Sequence, residues 1–449
     1  MFSIAACLIF PTACRCAISH LLAIFKAIRG GSPGWRWRVR IRLRYGFMIA
    51  APSYALPIVV FCASAALGLY IVLGYPLLLG LMARLRPKPV FKSRRRKTVS
   101  VVIPAHNGER FIGAKLDSVL ALDYPRELME ILVVSDGSTD RTDSIVREFA
   151  PQGVRLLRVP RGGKCAALNA AIPQARNEIL LLTDIRQTVA PESLQAMMDC
   201  FADSSVGAVS GELVIRKGAS HDEADTGLYW RYESWIRNRL SEIDSIFGAT
   251  GPFYALRREL AVPIPVDQLL DDMYLPLAAF FRGYRLVVEP RARAFDYPTS
   301  RGTEFTRKTR TLAGNYQILR SYPALLGPAN RMWFHYASYK LGRLALPWAL
   351  VLLFASSCFL PAPWRYFLLG GQALFYGLAG IDAWLPARFP GKRLSSFART
   401  FVALMLAAVC GLSVFFVSPR RLWKESKVGL VSDVDSGNGR AAKELAETE

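Results

Sequence analysis

The sequence predicts an α/β domain on a mainly parallel sheet, flanked by transmembrane α-helices, and three observations carry that expectation. Between residues 99 and 214, short β-branched apolar runs alternate with segments of helical character, the pattern of a parallel sheet covered on both faces. Hydrophobic residues make up 52% of the 449, and they gather in blocks too long for core helices of a soluble domain. The formal charge is +22, and the basic residues flank those blocks as juxtamembrane segments do. With no nucleic-acid module in the chain, that placement argues against nucleic acid as a partner and for membrane lipid. Eight cysteines without a CxxC pair or metal-ligand spacing point to reduced thiols, not to a disulfide framework or a zinc site.

In chain order, residues 1–47 form an extension with a short apolar piece carrying Cys7, Cys14 and Cys16, then an arginine-rich run from Arg29 to Arg44. It lacks the charged n-region of a signal peptide. The expectation is that translation starts at Met48, which puts a membrane helix, 48–83, at the amino terminus. Residues 55–81 are uncharged and long enough to span with tilt. The basic linker 84–98 holds eight lysines and arginines, which places the next domain on the cytoplasmic side.

That domain, 99–300, opens with a buried strand at 99–105 and a helix at 109–122. A second strand, 129–135, runs into Asp136-Gly-Ser-Thr-Asp140, where Gly137 permits a tight turn and Ser138 or Thr139 can cap the next helix. Strands at 154–159, 178–183 and 207–214 alternate with helices at 162–172 and 191–200. A helix bearing Tyr229, Trp230, Tyr232 and Trp235 follows, its aromatics read as core or membrane-interface residues, then a strand at 253–256 and a helix at 273–282. Interfacial helices fill 301–342, about three further spans lie within 343–417 (344–360, 366–385 and 401–417), and 418–449 is a polar tail. Arg388, Lys392, Arg393 and Arg399 place the loop before the last span inside, while Arg420, Arg421, Lys424 and Lys427 place the tail inside too. The orientation of the tail therefore stays open.

The first two βα loops share the carboxyl edge of the sheet, where open α/β sheets bind ligands. Asp136 there either accepts hydrogen bonds from a base or ribose, or simply organises a helix-entry turn. Gly162-Gly163-Lys164 opens a helix with free amides and an ammonium, a place for negative charge, or else a glycine turn before a solvated lysine. Asp184 ends a strand, and Asp271-Asp272 precedes a helix whose dipole favours them. Arg307, Arg310, Gly314 and Gln317 share one helical face; the plainer reading of its arginines is contact with lipid phosphates.

Taken together, Val-Val-Ile-Pro-Ala-His-Asn-Gly-Glu (101–109), Ser-Asp-Gly-Ser-Thr-Asp (135–140), Gly163-Lys164 with Ala167-Leu168-Asn169, Thr183-Asp184, Gly248-Ala-Thr-Gly251 and Leu270-Asp271-Asp272 resemble the family 2 glycosyltransferases. The likeness covers about residues 99–317 and is nearest to the membrane-bound group of cellulose and poly-N-acetylglucosamine synthases. It implies a GT-A, Rossmann-like domain and a nucleotide sugar, UDP-linked, bound by Pro104, Ala105, Asn107, Glu109, Asp136, Lys164, Asn169, Asp184, Arg186, Gly251, Asp271, Arg307 and Arg310. Asp272 is implied as general base, giving inversion in a single displacement.

The family usually carries two aspartates one residue apart to hold Mg²⁺ or Mn²⁺. Here Asp184-Ile185-Arg186 stands instead, leaving a modified single-aspartate metal site. Arg186 either binds phosphate directly or pairs with an acidic neighbour. The Gln-x-x-Arg-Trp run of processive relatives is absent, which argues against chain elongation. The resemblance implies a multi-pass protein of a bacterial inner membrane with its catalytic domain in the cytosol. Its acceptor would be a lipid-linked or growing glycan in envelope polysaccharide synthesis, alongside other assembly proteins. The alternative is a catalytically inactive nucleotide-sugar or glycan sensor.

Overall fold

The computed structural model describes residues 54–94, 96–215, 223–296, 301–386 and 389–419, and for 223–228 and 301–303 it describes the backbone. The expected extension 1–47, the start at Met48, Arg388 and the tail beyond residue 419 lie outside these residues. A 31-residue apolar helix, Ala55–Leu85, leads in. It comprises α1 (Ala55–Leu69), a π-helical turn (Tyr70–Gly74) and α2 (Tyr75–Leu85).

The sheet domain follows in the order β1 (Val99–Ala105), α3 (Glu109–Leu120), β2 (Met129–Asp136), α4 (Thr142–Glu148), β3 (Val154–Val159), α5 (Lys164–Ala171), β4 (Ile179–Thr183), β5 (Thr188–Val189), α6 (Ser193–Cys200), β6 (Val206–Ile215), α7 (Glu223–Ile243), β7 (Phe253–Arg257), α8 (Asp271–Phe281) and β8 (Arg285–Asp296). The eight strands form one sheet in the order β3-β2-β1-β4-β7-β6-β8-β5. The β1–β2, β1–β4, β2–β3 and β6–β8 pairs are parallel, and β4–β7, β6–β7 and β5–β8 are antiparallel. The antiparallel pairs enter through β7 and the unexpected β5 and β8.

Period-two burial divides the strands between two cores. Val102, Leu132, Val134, Leu180 and Leu182 face one core, shared with α5, α7 and α8. Val101, Ile103, Ile131, Val133 and Leu181 face the other, with α3 and α6. Linker lysines expected against the leaflet are partly taken up by the domain: Lys88 pairs with Asp244 at 3.1 Å, Lys92 with Glu289 at 2.6 Å and Lys97 with Glu178 at 2.6 Å.

After the sheet come α9 (Arg301–Ser321), α10 (Trp333–Tyr336), a second π-helical turn (Ala337–Leu341), α11 (Gly342–Ser357), α12 (Trp364–Ile381) and α13 (Lys392–Gly411). Among the described residues three helices are long and apolar enough to cross a membrane: Ala55–Leu85, Trp333–Ser357 and Lys392–Phe415. The segment expected to span at 366–385 forms α12, which carries Arg365 and Gln372 and is not among these three. Gln372 donates to Ser357 Oγ at 2.9 Å.

Candidate active site

A cavity of about 1240 Å³ lies at the carboxyl ends of β1, β2 and β4. The loops after β1 and β2 are stapled together on its rim. Asn107, at φ 46°, donates its amide to Ser138 Oγ (3.2 Å) and accepts the Thr139 amide on Oδ1 (2.8 Å). Ser138 and Thr139 are thus committed to Asn107, and Asp140 instead accepts the Thr142 amide that opens α4, at 3.0 Å. This corrects the expected cap. Pro104, Ala105 and Asn107 line the cavity. Glu109 does not: its carboxylate accepts the Arg141 amide at 3.1 Å on the exposed side of the loops.

Asp136, 2% exposed, accepts the amides of Gly162 (2.7 Å) and Gly163 (2.9 Å) and pairs with Arg161. Its carboxylate holds the β3–α5 loop against the cavity. Gly137 makes that approach possible. Its φ is +63°, and a Cβ there would stand 2.9 Å from the Arg161 backbone nitrogen.

Lys164, the first residue of α5, reaches Asp184 Oδ1 at 2.8 Å and Asp271 Oδ1 at 3.2 Å. Burial works against its charge, but Asp184 and then Asp271 overcome that and hold it above the usual lysine range. Asp272 is pushed up to about 7, first by burial and then by Asp271, with Lys164 opposing. Gly251 packs on this carboxylate so closely that a Cβ would lie 2.8 Å from Asp272 Oδ2. The Ala249 amide donates to the Asp272 carbonyl at 2.8 Å, fixing the Gly248–Gly251 loop on α8.

Two expected donor contacts are otherwise engaged. Asn169 spends its amide on the Ile264 backbone, donating to the carbonyl (2.7 Å) and accepting the N–H (2.8 Å), and is not among the cavity residues. Arg186 borders the cavity, yet its guanidinium pairs with buried Asp296 at 2.5 Å, beside a 2.9 Å hydrogen bond from Gln187. Of the two roles open to Arg186, the acidic neighbour is the one present.

Arg307 and Arg310 project from α9 into the cavity. Arg307 pairs with Glu304 at 2.8 Å. Burial lowers Arg310, with Asp184 and Asp272 opposing that shift. Gln317 on the same face accepts the Leu269 amide (2.8 Å) and donates to the Asp267 carbonyl (2.9 Å), anchoring α9 to the loop before α8.

Among the described residues no group of three or more histidine, cysteine or acidic side chains is placed to hold a metal. Asp184, its side chain 34% exposed and paired with Lys164 at 2.8 Å, is the carboxylate that would join phosphate oxygens and water around Mg²⁺ or Mn²⁺.

Sequence reasoning missed a second set of cavity residues: Arg237 of α7, Lys308 of α9, and Lys340 and Arg343 around the second π turn. Arg343 pairs with Glu233 at 2.6 Å, which also accepts from Tyr339. Burial would raise Glu233, but Arg343 outweighs it and holds the carboxyl well below the usual range. The available signal was Lys340 and Arg343, three residues apart at the edge of an apolar block.

Residues 100–262 match the profile described as Glycosyl transferase family 2. The chain is 24% identical over 243 residues to the poly-beta-1,6-N-acetyl-D-glucosamine synthase of Staphylococcus aureus, covering 52% of this chain and 58% of that protein. It is 25% identical over 309 residues to the beta-monoglucosyldiacylglycerol synthase of Synechocystis, covering 62% and 63%. The chain thus spans less than two thirds of these curated relatives. A solved structure, the mannosyltransferase PcManGT from Pyrobaculum calidifontis in complex with GDP-Man and Mn²⁺, superposes with a TM-score of 0.60 at 25% identity, over 80% of this chain and 98% of that one.

Proposed function

From the match of residues 100–262 to glycosyl transferase family 2, we propose an inverting glycosyltransferase. It takes a sugar from a cytosolic nucleoside diphosphate sugar and passes it to a lipid-linked or glycan acceptor at a bacterial inner membrane. The observation that carries the reading is Asp272, a cavity carboxylate pushed up to about 7 beside the glycine loop and across from Lys164 and Asp184. A general base works best with its pKa near the operating pH.

In this reading the acceptor hydroxyl oxygen forms a bond to the anomeric carbon while its proton passes to Asp272. The bond from that carbon to the diphosphate oxygen breaks, and the electron pair leaves with the diphosphate. Attack from the face opposite the leaving group inverts the centre. Lys164, held protonated by its aspartates, and Arg310 face the charge that develops on the diphosphate. A bound Mg²⁺ or Mn²⁺ on Asp184 would supply further neutralisation of that leaving group. The Pyrobaculum neighbour, described with GDP-Man and Mn²⁺, supports a nucleotide sugar and a divalent cation.

The test is turnover of a panel of UDP and GDP sugars by membranes containing the full chain, with Mg²⁺, Mn²⁺ or chelator. We expect cation-dependent turnover of one donor, lost in Asp272→Asn with nucleotide affinity retained. Nucleotide binding without turnover under every condition overturns the reading in favour of a sensor.

A further inference from the structure

The cavity is larger than the roughly 300–1,000 Å³ of a site for one small ligand, and its two ends differ in chemistry. One end holds Asp184, Asp271 and Asp272 around Lys164; the other is walled by the apolar helices. There the two π-helical turns meet. Tyr70 Oη and Ser338 Oγ are 2.7 Å apart, and a Cβ on Gly342 would lie 3.1 Å from Ile71. Ile71, Val72 and Leu73 of the first turn and Ser338, Tyr339 and Lys340 of the second all line the cavity. A π turn inserts one extra residue into a helix and is often kept where function requires it.

Cations dominate this end. Lys308, Lys340, Arg343 and Arg237 line it, against two carboxylates, Glu233, paired with Arg343 at 2.6 Å, and Glu304, 3.6 Å from Lys308. They also cover its aromatic faces. Lys308 Nζ lies 4.4 Å from the Tyr229 ring centre, with Arg343 Cζ at 5.8 Å; Tyr339 carries Arg343 at 4.9 Å and Lys340 at 5.1 Å. A neutral glycan strand would need open ring faces on which to stack, and cations lie over those of Tyr229 and Tyr339. An anion fits the charge instead. Beyond the cations the wall turns apolar along α13, through Phe401, Leu404 and Met405, on a helix long and apolar enough to cross a membrane.

We propose that this end of the cavity is an acceptor subsite for a phosphate-bearing membrane lipid with a free headgroup hydroxyl. Its phosphate lies against Lys308, Lys340 and Arg343, its chain along Phe401, Leu404 and Met405, and its hydroxyl toward Asp272. The inference rests on the transferase reading above and specifies its acceptor.

The test reconstitutes the full chain in vesicles of phosphatidylcholine alone, with phosphatidylglycerol, or with diacylglycerol, and follows label from the donor into the organic phase and into water-soluble glycan. We expect organic-phase label with phosphatidylglycerol. Lys340→Gln should raise the KM for that lipid by roughly tenfold, the worth of one charge-assisted hydrogen bond, with nucleotide affinity unchanged and Lys340→Arg restoring much of the loss. Equal labelling of diacylglycerol overturns the proposal, as does label confined to water-soluble glycan or a matching loss of nucleotide affinity in Lys340→Gln. Those outcomes leave the transferase reading standing. Bound nucleotide with no donor turnover in any vesicle overturns both.

Discussion

Burial pushes two side chains of opposite ordinary charge toward neutrality near pH 7. Asp272 is raised to about 7 by burial and by Asp271, so it is an effective base only above that value. We expect kcat/KM to climb as pH rises through about 7 and to level off beyond it, with Asp272→Asn inactive at every pH. A flat profile from pH 5 to 9 would remove Asp272 as the base. Lys115 is the other group: wholly buried on α3, it donates to Thr183 Oγ1 at 2.7 Å and to the Gln187 carbonyl at 2.6 Å, bridging the segment that carries Asp184 and Arg186. Burial lowers it from 10.5 to about 7, and a neutral amine keeps both hydrogen bonds. Between those values the unfolded chain binds the proton that the folded chain lacks, so this group makes stability rise with pH across that window. Lys115→Met should remove that slope, measured as the unfolding midpoint against pH for both proteins. An unchanged slope would show that Lys115 is not the titrating group.

At the scale of elements, the β3–α5 loop is held by one carboxylate and made possible by one glycine. Gly137→Ala places a Cβ 2.9 Å from the Arg161 backbone at a φ of +63°. It should cost ~1–3 kcal/mol in stability and raise the donor KM by pulling Gly162 and Gly163 off Asp136; thermal unfolding and donor titration check both. Much of this edge was legible because its signals are local. The apolar runs of β1 to β4 alternate between the two cores, and Gly137, Lys164, Asp184 and Asp271–Asp272 stand at element ends where turn chemistry announces them. β8 was not legible: Arg285, Glu289, Arg291 and Arg293 interrupt its apolar pattern, and it is held by register with β6, bulge included. Asn169 and Glu109 misled because an amide and a carboxylate can satisfy backbone as well as ligand. The π turns and the cations they aim left almost no local trace, since they arise where two distant helices meet.

Across the whole molecule, the first apolar helix is part of the sheet domain's packing and not a detachable anchor. Tyr75 and Leu79 of α2 are 1% and 0% exposed and belong to the core that holds Ile236 and Leu240 of α7, Met273 of α8 and Leu180 of β4. Tyr336 and Tyr339, at the start of the second long apolar helix, join the same core. Tyr75 Oη lies 3.2 Å from His335 Nδ1, tying the two helices to each other at the sheet domain. Leu77, two residues before Leu79, is 74% exposed on the opposite side. Leu79→Ala should therefore destabilise the sheet domain by about 2–5 kcal/mol, the usual range for emptying a buried leucine site, while Leu77→Ala in the same helix changes it little. Thermal unfolding of both variants in lipid nanodiscs, followed by a probe on the sheet domain, separates the possibilities. If the helix only tethers the sheet domain, both variants unfold at the wild-type temperature. A selective loss in Leu79→Ala would mean that the first apolar helix and the sheet domain unfold as one cooperative core.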